Sequence, residues 1–230
     1  MISFKGRHFE KMIILMVVRW YVAYSLSYRD VEEILKERGI SIDHATINRW
    51  VIKYAPLLED KFRKKYKRQT GLSWRMDETY VKNKGNWGFL YRAVDKEGDT
   101  VDFMFSAKRD RKAALRFFKK AIGSNGLPHT VTIDKSGANN AALEQLNKLF
   151  LMGGLCFLFI TIRQIKYLNN IVEQDHRHIK RIIKPMLGFK SFASAKATIA
   201  GVELHHMLRK GQMINVANMP IWEQFYTLAA

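Results

Sequence analysis

The strongest constraint on the fold is a change in the spacing of apolar residues near Gly71. Before this point apolar residues recur every three or four positions, which predicts amphipathic helices. After it, segments rich in aromatic and β-branched residues are separated by the turns NKGN and KEGD, which predicts a three-stranded meander. Two further strands then alternate with helices. The pattern therefore predicts an α/β chain in which an all-helical region precedes a mixed five-stranded sheet.

The helical region contains the signals of a helix-turn-helix unit. The first helix is predicted over about residues 8–24, and Ser27 and Gly39 are the expected start and stop of the second. Asp43 is the expected cap of a third helix that ends at Pro56. Two helices joined by so short a connection are typical of a DNA-reading helix pair.

The third helix is predicted to have one buried face and one polar face. The polar face carries Asn48, Arg49 and Lys53. Arg and Asn form paired hydrogen bonds to guanine and adenine edges in the major groove. An ordinary three-helix packing unit is the alternative, but the basic run over residues 61–68 suits phosphate contacts and favours DNA binding.

The overall charge indicates the class of partner. The formal net charge is +18, and every part of the chain has an excess of Lys and Arg, which suits a polyanion held across a broad surface. The single cysteine, Cys156, excludes a disulfide framework and a cysteine-based zinc site. No stretch reaches the roughly 18 apolar residues of a membrane span. We expect a soluble, cytoplasmic protein associated with DNA and not with a membrane.

Three acidic residues occupy positions that indicate metal chemistry. Asp77 lies within the first predicted strand, Asp134 ends the fourth, and Glu173 lies in the first turn of the helix after the fifth. Each alone could be a surface or capping residue. Together they form an oxygen-only cluster of the kind that suits Mg²⁺, and two such ions can support phosphoryl transfer.

The helix that contains Glu173 also carries a stripe of cations. At 3.6 residues per turn, Glu173 shares one face with Arg177, Lys180 and Lys184. A solvated helix face with one Glu173–Arg177 ion pair is the simpler interpretation. The other interpretation is that these cations meet the polyanion on which the metal acts.

Neighbouring groups fit the chemistry less well. His176 and His178 are two positions apart on a helix, so their side chains diverge and cannot readily share one ion. Glu78 is expected to point away from Asp77, because successive strand residues face opposite sides. Asp175 is expected to have a supporting or structural role.

Three segments resemble the catalytic blocks of bacterial DDE insertion-sequence transposases, most closely the IS-six family: WRMDETYVK, TIDKSGANN and KYLNNIVEQDHRHIKR. The amino-terminal segments FKGRHF, SYRDVEEIL and HATINRWVIKYAP are similar to the DNA-binding region of that family. GFKSF and ATIAGVELHHMLRKGQ are similar to its carboxy-terminal helix. The resemblance covers most of the chain.

This resemblance implies an RNase H-like catalytic core, as in retroviral integrases. It implies that Asp77, Asp134 and Glu173 are the catalytic, metal-binding acids, and that Lys180 lies near a DNA phosphate. The implied cofactor is Mg²⁺, as two ions for which Mn²⁺ can substitute. The implied reaction is strand cleavage at the terminal inverted repeats of an element, followed by strand transfer to target DNA with a cointegrate product. A homodimer or higher oligomer on double-stranded DNA is expected.

The chain is accordingly divided into three predicted regions. Residues 1–70 form a helix-turn-helix DNA-binding domain with a basic linker, residues 71–190 the RNase H-like catalytic domain, and residues 191–230 a helical extension. Two alternatives stay open, namely an RNase H-like structure-specific nuclease or resolvase, and a non-enzymatic helix-turn-helix regulator.

One segment departs from the family pattern. Residues 149–162 carry no charged side chain where a polar loop is expected before the fifth strand. A buried strand needs only the last few of these residues, from about Phe157. We expect residues 149–156 to stay partly exposed and to promote self-association.

Overall fold

The computed structural model describes residues 2–6, 8–135, 137–155, 158–216 and 218–230, without the side chains of Lys166 and Tyr167. The helices are α1 (Lys11–Ala23), α2 (Tyr28–Lys36), α3 (His44–Lys65), α4 (Arg111–Asn125), α5 (Gly137–Met152), α6 (Asn170–Ile183), α7 (Phe192–Arg209) and α8 (Ile221–Thr227). The strands are β1 (Ser73–Asn83), β2 (Asn86–Asp95), β3 (Thr100–Ser106), β4 (Thr130–Thr132) and β5 (Thr161–Arg163).

These elements form two compact units. The helical unit comprises Met1–Arg68 with His178–Ala230, and the sheet unit comprises Gln69–Arg177. The carboxy-terminal helices thus belong to the same unit as the amino-terminal ones. Within the described residues, no helix has the length and apolar character needed to cross a membrane.

Short-range capping starts the helices of the amino-terminal region as the sequence predicts. The Ser27 hydroxyl accepts a hydrogen bond from the Asp30 amide, and the Asp30 carboxylate accepts one from the Ser27 amide, which together form a capping box. The Asp43 carboxylate accepts hydrogen bonds from the amides of Ala45 and Thr46 at the start of α3. Each cap satisfies amide groups that have no partner within the helix.

The predicted end of α3 at Pro56 is wrong, because the helix continues to Lys65. Proline inside a helix costs about 3 kcal/mol through a lost hydrogen bond and a steric clash. Leu58 and Phe62, which follow it on α3, are completely buried. Burying two large apolar side chains offsets a cost of that size. The basic run that was expected to form a linker is therefore largely helical.

Close packing in the helical unit depends on Gly201 of α7. A Cβ atom at this position would lie 2.7 Å from Val22 Cγ1 and 2.8 Å from Ala55 Cβ, so any side chain would push α7 away from α1 and α3. α7 ends at Arg209, and Gly211 just after it has a left-handed φ of 69°, as is common where a helix stops.

The sheet unit is built on a mixed sheet with the strand order β3-β2-β1-β4-β5. β1 pairs antiparallel with β2, and β2 with β3, which confirms the predicted meander. β4 pairs parallel with both β1 and β5. Helices α4 and α5 cover one face, where Trp74, Tyr91 and Phe117 are completely buried in the core. The predicted mixed five-stranded sheet is thereby confirmed.

Several predicted boundaries in the sheet unit need correction. The sequence also suggests a stop for α4 at Gly123, but the helix runs to Asn125 and is capped by Gly126, whose φ of 83° only glycine adopts easily. β4 ends at Thr132, so Asp134 follows the strand and is not its last residue. β5 is a short edge strand and is mostly exposed, in contrast to the buried strand expected there.

The apolar segment before β5 is partly exposed, as predicted. Its first part completes α5, and the exposed side chains are Leu149, Leu151, Met152, Leu155 and Phe159. Met152 is 87% exposed. Cys156 and Phe157 lie outside the described residues. Self-association through this segment stays a prediction.

Candidate active site

Strand β1 separates two adjacent carboxylates onto opposite faces of the sheet. Asp77 is paired with Arg92 of β2, and Glu78 is paired with Tyr91. Glu78 therefore lies on the face that α4 and α5 cover, as the sequence predicts, whereas Asp77 lies on the other face. The two side chains consequently have different partners.

Asp77 is in contact with helix α6. The Nε2 atom of His176 lies 3.2 Å from Asp77 Oδ2, and the Asp77 side chain is 19% exposed. Behind this contact, Arg92 Nη1 lies 3.4 Å from His176 Nδ1 and Arg92 Nη2 donates to Asp175 Oδ2 over 2.7 Å. Arg92 is completely buried, so this ion pair fixes the start of α6 on the Asp77 face.

Glu78 is held by a cation and an amide. Its Oε1 atom lies 3.5 Å from Arg109 Nε, and its Oε2 atom accepts a hydrogen bond of 3.2 Å from Asn139 Nδ2 of α5. Burial raises the pKa of Glu78, while Arg109 and Asn139 oppose that shift and the charges of Asp77 and Asp134 add to it. Asp77, Glu78 and Asp134 are thus close enough to interact electrostatically.

Asp134 follows β4, beside the strand that carries Asp77. The parallel pairing of β1 with β4 places the chain after β4 next to the middle of β1. Asp134 Oδ2 lies 3.8 Å from Arg109 Nη2, and the Asp134 side chain is 38% exposed. Arg109 therefore bridges Glu78 and Asp134.

Glu173 lies in the first turn of α6 and is exposed. Just before this helix, Asn169 is buried and its Nδ2 donates to the Met76 carbonyl of β1 over 3.3 Å, which ties the helix start to that strand. Glu173 and His176 are three positions apart and share a face of α6. Because His176 contacts Asp77, that face is directed toward Asp77.

Asp77, Asp134 and Glu173 are suitable ligands for a hard divalent cation, because all three offer carboxylate oxygens. Within the part of the chain that the structure describes, no group of three or more His, Cys, Asp or Glu side chains is arranged to hold a metal ion. In the structure, Asp77 contacts His176 and Asp134 lies near Arg109.

The three predicted cations after Glu173 are all exposed. Arg177 belongs to the sheet unit, while Lys180 and Lys184 belong to the helical unit. The α-helix ends at Ile183, and Lys184 begins a short 3₁₀ turn. The predicted helical stripe is therefore wrong at Lys184 and holds for the other two residues.

The predicted DNA-reading face of α3 is mixed in character. Arg49 and Lys53 are exposed and line a groove of about 460 Å³ together with His8. Arg49 Nη2 donates to Thr46 Oγ1 over 2.6 Å. Asn48 is only partly exposed and shares a hydrogen bond with the Tyr28 hydroxyl. Two of the three predicted residues are thus available to a partner without rearrangement.

Comparison with known proteins decides the family. A family model described as a DDE domain matches residues 71–212, and one described as Transposase IS66 family matches residues 7–134. The chain is 41% identical over 207 residues to the transposase for the insertion sequence-like element IS431mec of Staphylococcus aureus, covering 90% of this chain and 88% of that protein. The chain belongs to the DDE transposases of insertion sequences.

A second relative gives the same match, and two solved structures are more distant. The transposase of element IS257 in transposon Tn4003 of Staphylococcus aureus is likewise 41% identical, over 90% of this chain and 88% of that protein. The HTLV-2 integrase catalytic core in complex with magnesium aligns with a TM-score of 0.38 and 18% identity, over 70% of this chain and 86% of that one. The BIV integrase core aligns with a TM-score of 0.40 and 18% identity, over 59% and 84%. Membership in the DDE transposase family follows from the sequence matches alone.

Four residues around the candidate site make contacts that the sequence alone did not reveal: Arg92, Arg109, Asn139 and His176. A buried strand position occupied by Arg92 is the one signal that was available, because a buried cation requires an anionic partner. Arg109 lies in an exposed loop before α4, where a basic residue predicts nothing specific. Its role depends on the tertiary fold.

Proposed function

We propose that this transposase binds the terminal inverted repeats of an insertion sequence and catalyses metal-dependent strand cleavage and strand transfer, with a cointegrate as the product. One observation carries the proposal. Asp77 and Asp134 lie on or just after adjacent parallel strands, and the face of α6 that includes Glu173 contacts Asp77 through His176. A protein that acts on chromosomal DNA in this way would work in the bacterial cytoplasm.

Asp77, Asp134 and Glu173 would hold the metal. When bound there, Mg²⁺ or Mn²⁺ would supply Lewis-acid activation of an oxygen nucleophile and would stabilise the charge on the leaving oxygen, tasks that two ions could share. The remaining work belongs to the protein. The ion pair of Arg92 with Asp175 holds α6 against the sheet, so that the three acids keep their relative positions. Arg109 and Asn139 hold the Glu78 carboxylate on the face of β1 opposite to Asp77.

The cations would hold the DNA. Arg49 and Lys53 are exposed on α3, and an arginine at this position of a helix-turn-helix unit can read a guanine edge. Asn48 would reach a base only after giving up its bond to Tyr28. Arg177, Lys180 and Lys184 are exposed and would contact phosphates. A homodimer or larger assembly on the two element ends is part of the proposal.

The test uses the full chain and a duplex that ends in the inverted repeat found beside the gene. Asp77→Asn, Asp134→Asn and Glu173→Gln are each expected to reduce Mg²⁺-dependent cleavage to background, because each removes a metal ligand. Glu144→Gln, an exposed carboxylate of α5 that bonds Asn140, is the matched control and should retain activity. Thermal unfolding and DNA affinity should stay near wild-type values in all four variants.

Two results would contradict the proposal. Full cleavage by any of the three variants would remove that residue from the catalytic set. Cleavage by the wild type without joining of the new 3′ end to a target plasmid would indicate a nuclease in place of a transposase that transfers strands.

A further inference from the structure

The hairpin of β1 and β2 carries an exposed aromatic surface that the proposed chemistry does not use. Tyr80 is 50% exposed and Trp87 is 60% exposed, which is unusual for such large side chains on one sheet face. Their rings are 5.9 Å apart in an edge-to-face arrangement, and Tyr80 also lies 5.4 Å from Phe89. We call Tyr80 and Trp87 the aromatic platform.

The strand register explains why the platform is exposed. Tyr80 is paired with Phe89, and Lys82 is paired with Trp87, so all four side chains lie on one face. β3 pairs with β2 only as far as Phe89, so the hairpin beyond it is a two-stranded ribbon. Lys84 and Gly85 close the ribbon with φ values of 50° and 78°, as in a tight two-residue turn.

The charges around the platform favour an anionic partner. Lys82 is exposed on the same face as Trp87, and Lys84 is exposed at the turn. Arg109 Nη1 lies 3.4 Å from the Tyr80 hydroxyl. A second copy of this chain would carry the same net charge of +18 and would be repelled from such a surface. A nucleic acid strand would be attracted to it.

The platform is also connected to the candidate active site. The same Arg109 guanidinium that contacts Tyr80 lies 3.8 Å from Asp134 Oδ2 through its Nη2 atom. One side chain therefore spans the distance between the platform and a proposed metal ligand. A nucleotide close to the phosphate under attack could place its base on the platform, provided that the base has left the helical stack.

We propose that the aromatic platform stacks against an unpaired base of the DNA strand next to the cleavage site. This inference rests on the proposed function, because it requires DNA at the carboxylates. Stacking on an exposed aromatic side chain is tolerant of base identity, and neighbouring cations supply the phosphate contacts. The platform would hold the strand open locally, since enzymes that act within a duplex frequently draw a nucleotide out of the stack.

The experiment compares two DNA probes of equal length, a blunt duplex and a forked duplex with an unpaired thymine tract. Fluorescence anisotropy measures their affinity for the full chain. Trp87→Ala is expected to weaken binding of the forked probe by about 5- to 150-fold, the range that loss of one base–aromatic stack gives. Affinity for the blunt duplex should change by less than about twofold, and Trp87→Phe should restore most of the loss.

Trp222→Ala is the matched control. Trp222 of α8 is 49% exposed and also lies edge-to-face against a tyrosine, with ring centroids 5.9 Å apart from Tyr226, but it belongs to the helical unit. Its loss should leave both affinities unchanged. The salt dependence adds a second readout. Trp87→Ala should keep the wild-type slope of log affinity against log salt concentration. Lys82→Ala should reduce the size of that slope by about 0.7 for the forked probe.

The outcomes separate this inference from the proposed function. If the wild type binds both probes and Trp87→Ala binds them equally well, the platform is not a base-stacking site and the proposed function stands. If Trp87→Ala changes only the sedimentation coefficient of the free protein, the ribbon is a contact between protein copies and the inference is wrong. If the wild type binds neither probe, the proposed function fails and the inference fails with it.

Discussion

Two sets of ionisable side chains, one in the sheet unit and one in the helical unit, are held in opposite ways. In the sheet unit, completely buried Arg92 is paired with Asp175, and buried Glu78 contacts Arg109. In the helical unit, Tyr21 and Tyr28 stack at 3.9 Å and burial raises the pKa of both, while burial lowers the pKa of His205 to about 4. The first arrangement depends on a partner of opposite charge, and the second on the neutral form.

Each arrangement indicates which change should destabilise the side chains that it holds. A paired charge is sensitive to the loss of its partner, because the remaining charge is left in a medium of low polarity. A buried neutral histidine has no anionic partner to lose, yet it must be protonated in the unfolded chain when the pH is low enough. The predictions below test this contrast, ordered by their expected effect on protein stability.

The largest effect is expected from Arg92→Leu. This change leaves the Asp175 carboxylate, whose side chain is 9% exposed, without the Nη2 donor that lies 2.7 Å from it. Removing one partner of a buried ion pair costs about 3–5 kcal/mol. Urea unfolding of the full chain at pH 7 measures the loss.

The double variant Arg92→Leu/Asp175→Leu is the control for this prediction. Replacing both charges by apolar groups leaves no buried ion, so the double variant should be more stable than Arg92→Leu alone. If the double variant loses as much stability as the two single variants added together, then the pair does not act as a unit and the contrast between the two units is wrong.

A smaller loss is expected from Glu78→Ala. The change removes the acceptor of the Asn139 amide, and Asn139 is completely buried. An unsatisfied buried donor costs about 1–3 kcal/mol. The loss should stay below that of Arg92→Leu because the Arg109 side chain is 34% exposed and can turn toward water. Glu78→Gln keeps an acceptor oxygen and should recover part of the loss in the same urea measurement.

The separation of Asp77 from Glu78 illustrates what the sequence could predict. It follows from the alternation of strand residues, which is a local property, and the same holds for the capping of α2 by Ser27 and of α3 by Asp43. The meander was equally accessible, because its turns are marked by glycine. Local rules therefore place Asp77 on β1 and Glu173 in α6, whereas Asp134 follows β4 and does not end it.

What the sequence could not predict depends on contacts between distant segments. The continuation of α3 through Pro56 requires the burial of Leu58 and Phe62, a tertiary effect that overrides the local cost of proline. The pairing of Arg92 with Asp175 and the bridge by Arg109 depend on which elements meet in space. For the same reason, the contacts of Asp77 with His176 and of Asp134 with Arg109 could not be predicted from the sequence.

The helical unit should respond to pH through His205. Its pKa falls from 6.5 to about 4 in the folded protein because of burial. Between these values the unfolded chain binds a proton that the folded chain does not, so stability should fall as the pH falls from 6.5 toward 4. Each such group contributes up to about 1.4 kcal/mol per pH unit in this window.

The measurement is a series of urea unfolding curves from pH 7 to pH 4.5. His205→Gln removes the titrating group and should give a shallower dependence than the wild type, whereas His129→Gln, an exposed histidine of the sheet unit, should not. If His205→Gln and the wild type have the same pH dependence, then His205 is not held neutral by burial.

The smallest effect on stability is expected from Lys180→Ala, because Lys180 is an exposed residue of the helical unit. Alanine is a good helix former, and exposed substitutions usually change stability by less than about 0.5 kcal/mol. If Lys180 contacts a phosphate, affinity should fall alike for all duplex sequences, and the slope of log affinity against log salt should lessen by about 0.9.

Lys96→Ala serves as the control, since Lys96 lies 3.4 Å from Glu97 in an exposed turn of the sheet unit. If Lys180→Ala leaves the slope of log affinity against log salt unchanged, Lys180 is only part of a solvated helix face and does not contact a phosphate.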